Sequence, residues 1–258
     1  MQMNRHPRLL ELIAYVQAHG SVTVEQLAET LGVTLQTVRR DVQRLADEGL
    51  LARFHGGVRV PSSTIENIEH KQRENLNAEA KARIARDVAA AVPNDCSLIL
   101  NIGTTTEAIS RALMSHTGLR VITNNLNVAS ILSANSSCEV IVVGGVVRGR
   151  DHGIVGEAAV DFIRQFKVDI ALMGISGIES DGTLRDYDYR EVKVSQTIIN
   201  HAREVWMAAD CSKFNRPAMV EVAKLQQIDR LFTDGQPPEP FPALLADAQV
   251  QCTVAAPL

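Results

Sequence analysis

The stretch from Thr23 to Gly57 reads T-V-E-Q-L-A-E-T-L-G-V-T-L-Q-T-V-R-R-D-V-Q-R-L-A-D-E-G-L-L-A-R-F-H-G-G and decides the fold of the first part of the chain. Thr23 and Gln26 form a capping-box pattern that opens a helix, and Gly32 ends that helix. Thr34 caps a second helix, whose apolar residues recur at helical spacing and are expected to pack inward: Leu35, Val38, Val42 and Leu45. Two short helices around a glycine turn predict a helix-turn-helix.

The residues after the second helix suit a short β-hairpin, with Gly56 and Gly57 at its tip and Arg53 before it. A hairpin at this position is the wing of a winged helix-turn-helix. Its tip is able to meet the DNA backbone or the minor groove. Double-stranded DNA is therefore the first partner to consider.

The outward face of the second helix carries side chains that read bases and bind phosphates. Gln and Arg pair with adenine and guanine edges in the major groove, and Thr contacts a base or a phosphate. Arg40 lies opposite the apolar stripe, at the centre of this face. The alternative is an ordinary solvated helix face. The predicted DNA-binding residues are Thr34, Gln36, Thr37, Arg39, Arg40, Arg44, Arg53 and His55.

Length and charge predict two domains. A chain of 258 residues is long enough for one small and one medium core. Residues 1–60 hold seven Lys and Arg against six Asp and Glu, whereas the whole chain has a net charge of −4. We expect a DNA-binding domain over residues 1–57, a polar linker over 58–78 and an effector-binding and oligomerisation domain over 79–258.

The four cysteines are far apart and form no C-x-x-C pair, so they predict neither a zinc site nor a compact disulfide framework. We expect reduced core residues in a cytoplasmic protein. No signal peptide and no run of 18 apolar residues is recognisable, so no membrane association is expected. The sequence predicts no metal ion and no cofactor.

The second half alternates short apolar runs with helical segments, which predicts a doubly wound α/β domain with a parallel sheet covered on both faces. The predicted strands are Ser97–Leu100, Arg120–Thr123, Val140–Val143, Val168–Met173, Val205–Ala209 and Leu231–Thr233. In such a sheet the ligand binds just beyond the carboxyl ends of the strands.

Small and polar residues follow the strands and form the predicted effector site. A Gly-Thr-Thr-Thr turn at a helix N-terminus offers backbone amides and hydroxyls to a phosphate, although a Thr-rich turn is also an ordinary helix cap. Lys213 adds a positive charge. A dinucleotide is disfavoured because the G-x-G-x-x-G glycines are missing. The predicted effector-binding residues are Gly103, Thr104, Thr105, Thr106, Asn124, Asn125, Gly145, Gly174, Asp181, Glu191 and Lys213.

Both halves resemble the DeoR family of bacterial transcription regulators. The resemblance rests on Thr34–Val42 and Arg53–Gly57 in the first half and on the stretches at Ile122–Ala129, Arg148–Glu157, Gly174–Gly182, Tyr187–Val192 and Asp210–Val220 in the second. It implies a winged helix-turn-helix repressor whose effector domain is similar to phosphosugar isomerases. It also implies a phosphorylated effector, either a small polyol such as glycerol 3-phosphate or another sugar phosphate.

The resemblance to an isomerase raises the possibility of catalysis. Arg190, Glu191 and Lys193 look like the stretch that supplies an isomerase with its general base, but the Lys-Gly-Gly segment expected before it is absent. A base without an electrophilic partner gives little proton transfer, so we predict no catalytic residue. Glu191 and Asp181 are left as acceptors of ligand hydroxyls or as solvated charges. An isomerase and a nicotinamide-sensing regulator are the alternatives to a repressor.

The weak positive charge of the DNA-binding half predicts an assembly. One helix-turn-helix with little excess charge gives limited affinity, and two linked copies read a repeated site more tightly. We expect a homodimer or homotetramer formed through the second domain.

Overall fold

The computed structural model describes residues 7–19, 21–48, 50–54, 56–59, 64, 67 and 69–257. It divides the chain into two compact units, Met1–Glu66 and Asn67–Leu258. The boundary falls inside the stretch 58–78 that we predicted as a linker. That stretch also includes the end of a strand, Gly57–Arg59, and a helix, His70–Asn75.

The first unit is a winged helix-turn-helix, as predicted. Three helices pack around a small core that includes Leu12, Leu27 and Leu45. A three-stranded antiparallel sheet, in the order β1-β3-β2, forms the wing. In chain order its elements are α1 (Pro7–His19), β1 (Ser21–Thr23), α2 (Val24–Leu31), α3 (Leu35–Asp47), β2 (Ala52–Phe54) and β3 (Gly57–Arg59).

The caps predicted from sequence are present. Thr23 and Gln26 form the complete capping box, and Gly32 ends α2 in the left-handed conformation at φ 62°. One core prediction is wrong: Leu35 is 41% exposed, while Val38 and Val42 are buried. Leu35 is the first residue of α3, and helical side chains tilt toward the N-terminus, so it projects beyond the face that the other helices cover.

The second unit is a doubly wound α/β domain. Its helices are α4 (His70–Asn75), α5 (Ala78–Ala91), α6 (Thr104–Ala112), α7 (Leu126–Leu132), α8 (Glu157–Ile163), α9 (Tyr189–Asn200) and α10 (Phe241–Asp247). Its strands are β4 (Ser97–Leu100), β5 (Leu119–Thr123), β6 (Cys138–Val142), β7 (Val146–Val147), β8 (Ile154–Val155), β9 (Val168–Gly174), β10 (Gly177–Ile178), β11 (Thr183–Asp186), β12 (Ala202–Ala208), β13 (Val220–Lys224), β14 (Arg230–Thr233) and β15 (Gln251–Val254).

Within the described residues, seven parallel strands form the central sheet in the order β15-β14-β12-β9-β4-β5-β6. Alternate residues of each strand enter two separate cores, one on each face, as Ile99 and Leu98 illustrate. Helices α5, α6 and α7 cover one face, and α8, α9 and α10 cover the other. The predicted fold is therefore confirmed.

The six predicted strands all exist, with bounds shifted by at most a few residues. The sequence did not reveal β15, because Q-C-T-V at the edge of a sheet is not a continuous apolar run. It also missed a small antiparallel sheet, β10-β11-β13, and the β7-β8 hairpin. Both lie among the loops at the carboxyl ends of the parallel strands.

All four cysteines are free thiols. Cys96 is buried as expected, but Cys252 is exposed on the edge strand β15, so the prediction of a core position is wrong for it. Across the part of the chain that the structure describes, no helix combines the length and apolar character needed to cross a membrane.

Candidate functional site

The outward face of α3 is exposed as the predicted DNA contact requires. Gln36, Arg39, Arg40 and Arg44 are exposed, and Thr37 is half-buried. Among the described residues, Arg39 and Arg40 make no hydrogen bond or ion pair. Both guanidinium groups are therefore available to a nucleic acid.

Several other predicted DNA contacts already have protein partners. The Thr34 hydroxyl caps α3 by accepting from Thr37 N at 3.2 Å, and the two threonine hydroxyls are 2.9 Å apart. Arg44 Nε lies 3.2 Å from Glu48 Oε1, and Arg53 donates to Gln43 Oε1. His55 lies outside the described residues.

A partly buried ion pair connects α1 to α3. Arg8 of α1 donates through Nε to Asp41 Oδ2 at 2.8 Å and through Nη2 to Oδ1 at 3.2 Å. Asp41 lies on the inner side of the helix that carries Arg39 and Arg40. Sequence reasoning missed this pair, because it joins residues 33 positions apart.

The effector domain has its topological switch point between β4 and β9. From β4 the chain continues outward through β5 and β6 on one side and returns through β9 and β12 on the other. Ligands of open α/β sheets bind in the crevice at this point. Asn101 bridges the two strand ends: its Nδ2 donates to Gly174 O at 3.2 Å, and its Oδ1 accepts from Gly174 N at 2.9 Å.

The Gly103–Thr106 turn begins α6 directly after β4. No side chain of the described residues caps this helix, so the first-turn amides are available at its positive end. The Thr106 hydroxyl donates back to Asn101 O and Gly103 O, and that of Thr104 donates to Arg73 O at 3.4 Å. Thr105 is buried and its hydroxyl has no hydrogen-bond partner in the described part of the chain.

Lys213 is half-buried after β12 and belongs to a group of cations that includes the buried Lys81 and Arg216. Burial and the charges of Arg216, Arg73 and Lys81 together lower the pKa of Lys213 to about 7, and Asp210 opposes the shift. The Lys213 side-chain amine makes no hydrogen bond or ion pair within the described residues. Burial also lowers the pKa of Lys81, which donates to the carbonyl oxygens of Arg73 and Leu76. An anion at this place would remove an unfavourable concentration of positive charge.

The two asparagines after β5 differ in role. Asn124 Nδ2 donates to Ile154 O at 3.0 Å, while its buried Oδ1 has no hydrogen-bond partner in the described structure. Asn125 caps α7 through its Oδ1 and donates to Glu107 Oε1 at 3.3 Å. Asn124 is therefore able to accept a ligand hydroxyl, whereas the side chain of Asn125 is already used.

Two further residues of the predicted site have structural explanations. A Cβ on Gly145 would lie 2.9 Å from Ile154 Cγ2 and 3.0 Å from Val155 O, so the close approach of the β6–β7 loop to β8 requires glycine there. Asp181 is exposed in the turn between β10 and β11 and accepts from Thr183 N. The strand from Thr183 to Asp186 carries that turn about 10 Å from the sheet edge. The structure thus places Asp181 apart from the other predicted residues.

Glu191 lies in a cluster of carboxylates gathered around Arg148. Arg148 donates to Asp151 at 2.6 Å, to Glu191 at 2.7 Å and to Asp188 at 3.1 Å. Burial and the neighbouring Asp186 raise the pKa of Glu191 to about 7, although Arg148 opposes the shift. Burial lowers the pKa of Arg148, but the carboxylates of Glu191 and Asp151 outweigh burial and raise it overall. Glu191 therefore has a protein partner and is not an isolated base.

Sequence reasoning missed several residues of this region. They are Asn101, Glu107, Arg73, Lys81, Arg148 and Arg216. Arg148 and Arg216 belong to stretches that already carried a family resemblance. Arg73 fell within the polar stretch 58–78 that we predicted as a linker, and no motif singled out Lys81 in the predicted domain that follows. Among the described residues, no group of His, Cys, Asp or Glu is arranged to hold a metal ion.

The first unit exposes a basic helix beside a wing, and the second gathers cations at the switch point of a parallel sheet. Together they define a DNA-binding regulator with a sensor domain. Family comparison agrees: the DeoR-like helix-turn-helix domain matches residues 8–64, and the DeoR C terminal sensor domain matches residues 76–235. The chain belongs to the DeoR family.

Individual relatives are similar over nearly the whole chain. The glycerol-3-phosphate regulon repressor of Escherichia coli is 44% identical over 97% of this chain and 98% of its own length. The protein of that name from Haemophilus influenzae is 44% identical over 92% of this chain and 91% of its own length. The transcriptional repressor CsqR of Escherichia coli is 40% identical over 96% of this chain and 93% of its own length. These names describe regulators and not enzymes.

Among solved structures, the chain is similar to ribose 5-phosphate isomerase A from Methanocaldococcus jannaschii. The two are 16% identical, with a TM-score of 0.40 over 54% of this chain and 55% of the isomerase.

Proposed function

We propose that this protein is a transcriptional repressor that binds operator DNA through α3 and the wing and releases it when a small phosphorylated polyol binds the sensor domain. Glycerol 3-phosphate is the proposed effector. The observation that carries the proposal is the group of cations around Lys213, which includes Arg73, whose carbonyl oxygen accepts from Thr104 in the Thr-rich turn of α6. The names of the relatives support the choice of polyol.

The proposed phosphate site joins Lys213 to Thr104 and Thr105. Buried lysine amines and first-turn amides favour a dianion, because both carry positive charge in surroundings of low polarity. The hydroxyls of the polyol are left to the polar residues of neighbouring strand ends, with Asn124 Oδ1 as one acceptor. In this proposal Gly103 and Gly174 form the turns after β4 and β9. Glu191 contributes indirectly, by accepting a hydrogen bond that holds Arg148 in place.

The proposed DNA site is the face around Arg40. Arg39 and Arg40 make the charged contacts, and Gln36 reads a base edge. Thr34, Thr37, Arg44, Arg53 and His55 are assigned to phosphate contacts, which position the helix without reading sequence. A homodimer or homotetramer supplies the second helix for a repeated operator.

A mobility-shift assay with DNA selected in vitro by the protein tests the proposal. Glycerol 3-phosphate is expected to release the DNA, whereas glycerol is not. Lys213→Met is expected to bind DNA normally and to need a higher ligand concentration for release. Lys193→Met is the matched control, because Lys193 is an exposed lysine whose ion pair, with Glu157 at 3.2 Å, lies away from Lys213 in sequence and joins two surface side chains.

Three results would contradict parts of this scheme. Equal release by glycerol and glycerol 3-phosphate would remove the phosphate site. Release by another sugar phosphate alone would keep the repressor and replace the effector. Failure to enrich any DNA during selection would overturn the repressor itself.

A further inference from the structure

A short segment that follows the DNA-binding unit in the chain lies across the proposed effector site. This segment, called the strap below, comprises Asn67 and residues 69–77 and contains helix α4. It belongs to the second unit, and in the chain it follows directly on Glu66, where the first unit ends. Its contacts run along the carboxyl edge of the parallel sheet.

The strap contacts the residues that follow three of the parallel strands. His70 Nε2 lies 2.9 Å from Glu107 Oε1, and Arg73 O accepts from Thr104 Oγ1, both after β4. Other contacts connect Asn67 Nδ2 with Ser176 Oγ after β9 at 3.2 Å and Asn77 Nδ2 with Asp210 Oδ1 after β12 at 3.0 Å. Asn67 Oδ1 also accepts from Arg216 Nη2 at 2.9 Å. The strap therefore crosses the switch point.

Arg73 is the charged side chain that the strap brings into the site. Its side chain is only 16% exposed, and its Nη2 lies 4.0 Å from Asp151 Oδ2. Burial lowers the pKa of Arg73, the charges of Glu191, Asp151 and Asp186 oppose this shift, and that of Arg216 adds to it. The charge of Arg73 also contributes to the lowered pKa of Lys213. Arg73 thus interacts both with the carboxylates around Arg148 and with the cations around Lys213.

The charges that lower the pKa of Lys213 are three cations, against one carboxylate that raises it. Lys213, Arg216, Arg73 and Lys81 act on one another, and Asp210 is the acidic group among the charges that act on Lys213. Like charges in a desolvated place repel strongly, so this arrangement is costly without a ligand. A phosphate dianion between Lys213 and Arg73 would convert that repulsion into attraction. The same phosphate would then be bound to both the sheet and the strap.

We propose that Arg73 is a phosphate-binding residue that the strap contributes to the effector site, so that effector binding fastens the strap to the sheet. The inference rests on the proposed function, because it assigns a further residue to the same site. It also supplies a route for regulation. A ligand shifts an equilibrium only by its different affinity for two states, and a phosphate held by Arg73 favours the state with a seated strap.

The strap follows the DNA-binding unit in the chain. Binding of the strap to the sheet therefore changes the length of free chain that tethers that unit. A fastened strap shortens the free tether between the two units, and effective concentration at a two-part operator depends on tether length. Ligand binding at the sheet therefore changes operator affinity without any contact between ligand and DNA.

The test combines calorimetry with hydrogen exchange on the full chain, with glycerol 3-phosphate and inorganic phosphate as probes. In the wild-type protein, ligand is expected to slow amide exchange in peptides that cover residues 67–77. Arg73→Gln is expected to bind both probes about tenfold or more weakly, the loss of one charge-assisted contact, and to lose the slowing. Lys71→Gln is the matched control, since it removes an exposed charge from the same helix.

Arg73→Lys keeps the charge and is expected to recover part of the affinity, which separates the contact from a folding defect. Wild-type affinity in Arg73→Gln, or unchanged exchange in the strap of the ligand-bound wild type, would overturn the inference and leave the proposed function intact. Failure of both probes to bind the wild-type protein would overturn both.

Discussion

Lys213 shows how the surroundings of one residue set its chemistry. Its ordinary pKa is well above physiological pH, but burial and the charge of Arg216 lower it to about 7. Near pH 8 the amine is therefore largely neutral in the unliganded protein. A dianion beside it restores the charged form, because an opposite charge nearby favours protonation.

This predicts proton uptake when glycerol 3-phosphate binds at pH 8. A phosphate monoester has its second pKa near 6, so the ligand is already a dianion and the proton goes to the protein. Uptake is expected to approach one proton at pH 8, to fall to about half a proton near pH 7 and to be small at about pH 6, where Lys213 is already charged in the unliganded protein. Calorimetry in buffers of different ionisation enthalpy measures it.

Lys213→Met is expected to abolish the uptake, and the exposed-site variant Lys193→Met to retain it. Proton release on binding, or undiminished uptake in Lys213→Met, would contradict the assignment.

Arg40 is the residue-scale test of the DNA face. Arg40→Ala is expected to weaken binding to selected DNA by about 1–3 kcal/mol and to relax the preference at one base position. Repeating the in vitro selection with the variant measures both effects. Arg164→Ala, which removes an exposed arginine directly after α8, serves as the control. An unaltered selected sequence at unaltered affinity would remove Arg40 from the base-reading set.

At the scale of elements, Arg148 joins a loop to a helix. It contacts Asp151 in the loop between β7 and β8, and Asp188 and Glu191 at the beginning of α9. Its side chain is only 7% exposed. Buried ion pairs of this kind gain little over apolar packing, but removal of one partner leaves the others unpaired in a desolvated place. The ion pairs of Arg148 thus hold the β7–β8 loop and the beginning of α9 in one arrangement.

Arg148→Met is expected to destabilise the second unit by about 3–5 kcal/mol, because three carboxylates lose their shared partner. Urea unfolding followed by the fluorescence of Trp206, which lies in β12, reports on this unit. Arg150→Met is the control, since Arg150 is exposed and its ion pairs are long; we expect a loss of less than about 1 kcal/mol. Equal losses in the two variants would contradict the role of Arg148.

At the scale of the whole molecule, the charge distribution bears on assembly. Residues 1–60 have an excess of one positive charge. A surface with so little positive charge makes few of the salt-dependent contacts to DNA phosphates. Two linked units add their binding free energies, apart from the cost of the tether. We therefore expect high operator affinity in this protein to depend on more than one copy of the chain.

The expected outcome is a dimer or tetramer at micromolar concentration in analytical ultracentrifugation. A fragment that contains residues 67–258 is expected to show the same stoichiometry, since we assign assembly to the second domain. A monomeric full-length protein that still binds its selected DNA with full affinity would contradict this prediction.

The helix-turn-helix was predictable because its signals are local. The capping box of Thr23 and Gln26, the left-handed Gly32 and the stripe through Val38 and Val42 act within a few residues of one another. The parallel strands were predictable for a similar reason, since strands buried on both faces are continuous apolar runs. The resemblance of several sequence motifs to the DeoR family added an expected class of ligand, a small phosphorylated polyol or another sugar phosphate.

The sequence by itself thus determined the two domains, the exposed DNA face and the strand ends where a ligand is expected. Only the tertiary structure decided which charges meet there. It brought Arg73 from a predicted linker beside Lys213, paired Arg148 with Glu191 and left Asp181 at the far end of a hairpin. The physical reason is that caps and periodicities act over a few residues. The distance between two charges far apart in sequence depends on strand order and on how loops pack at the sheet edge.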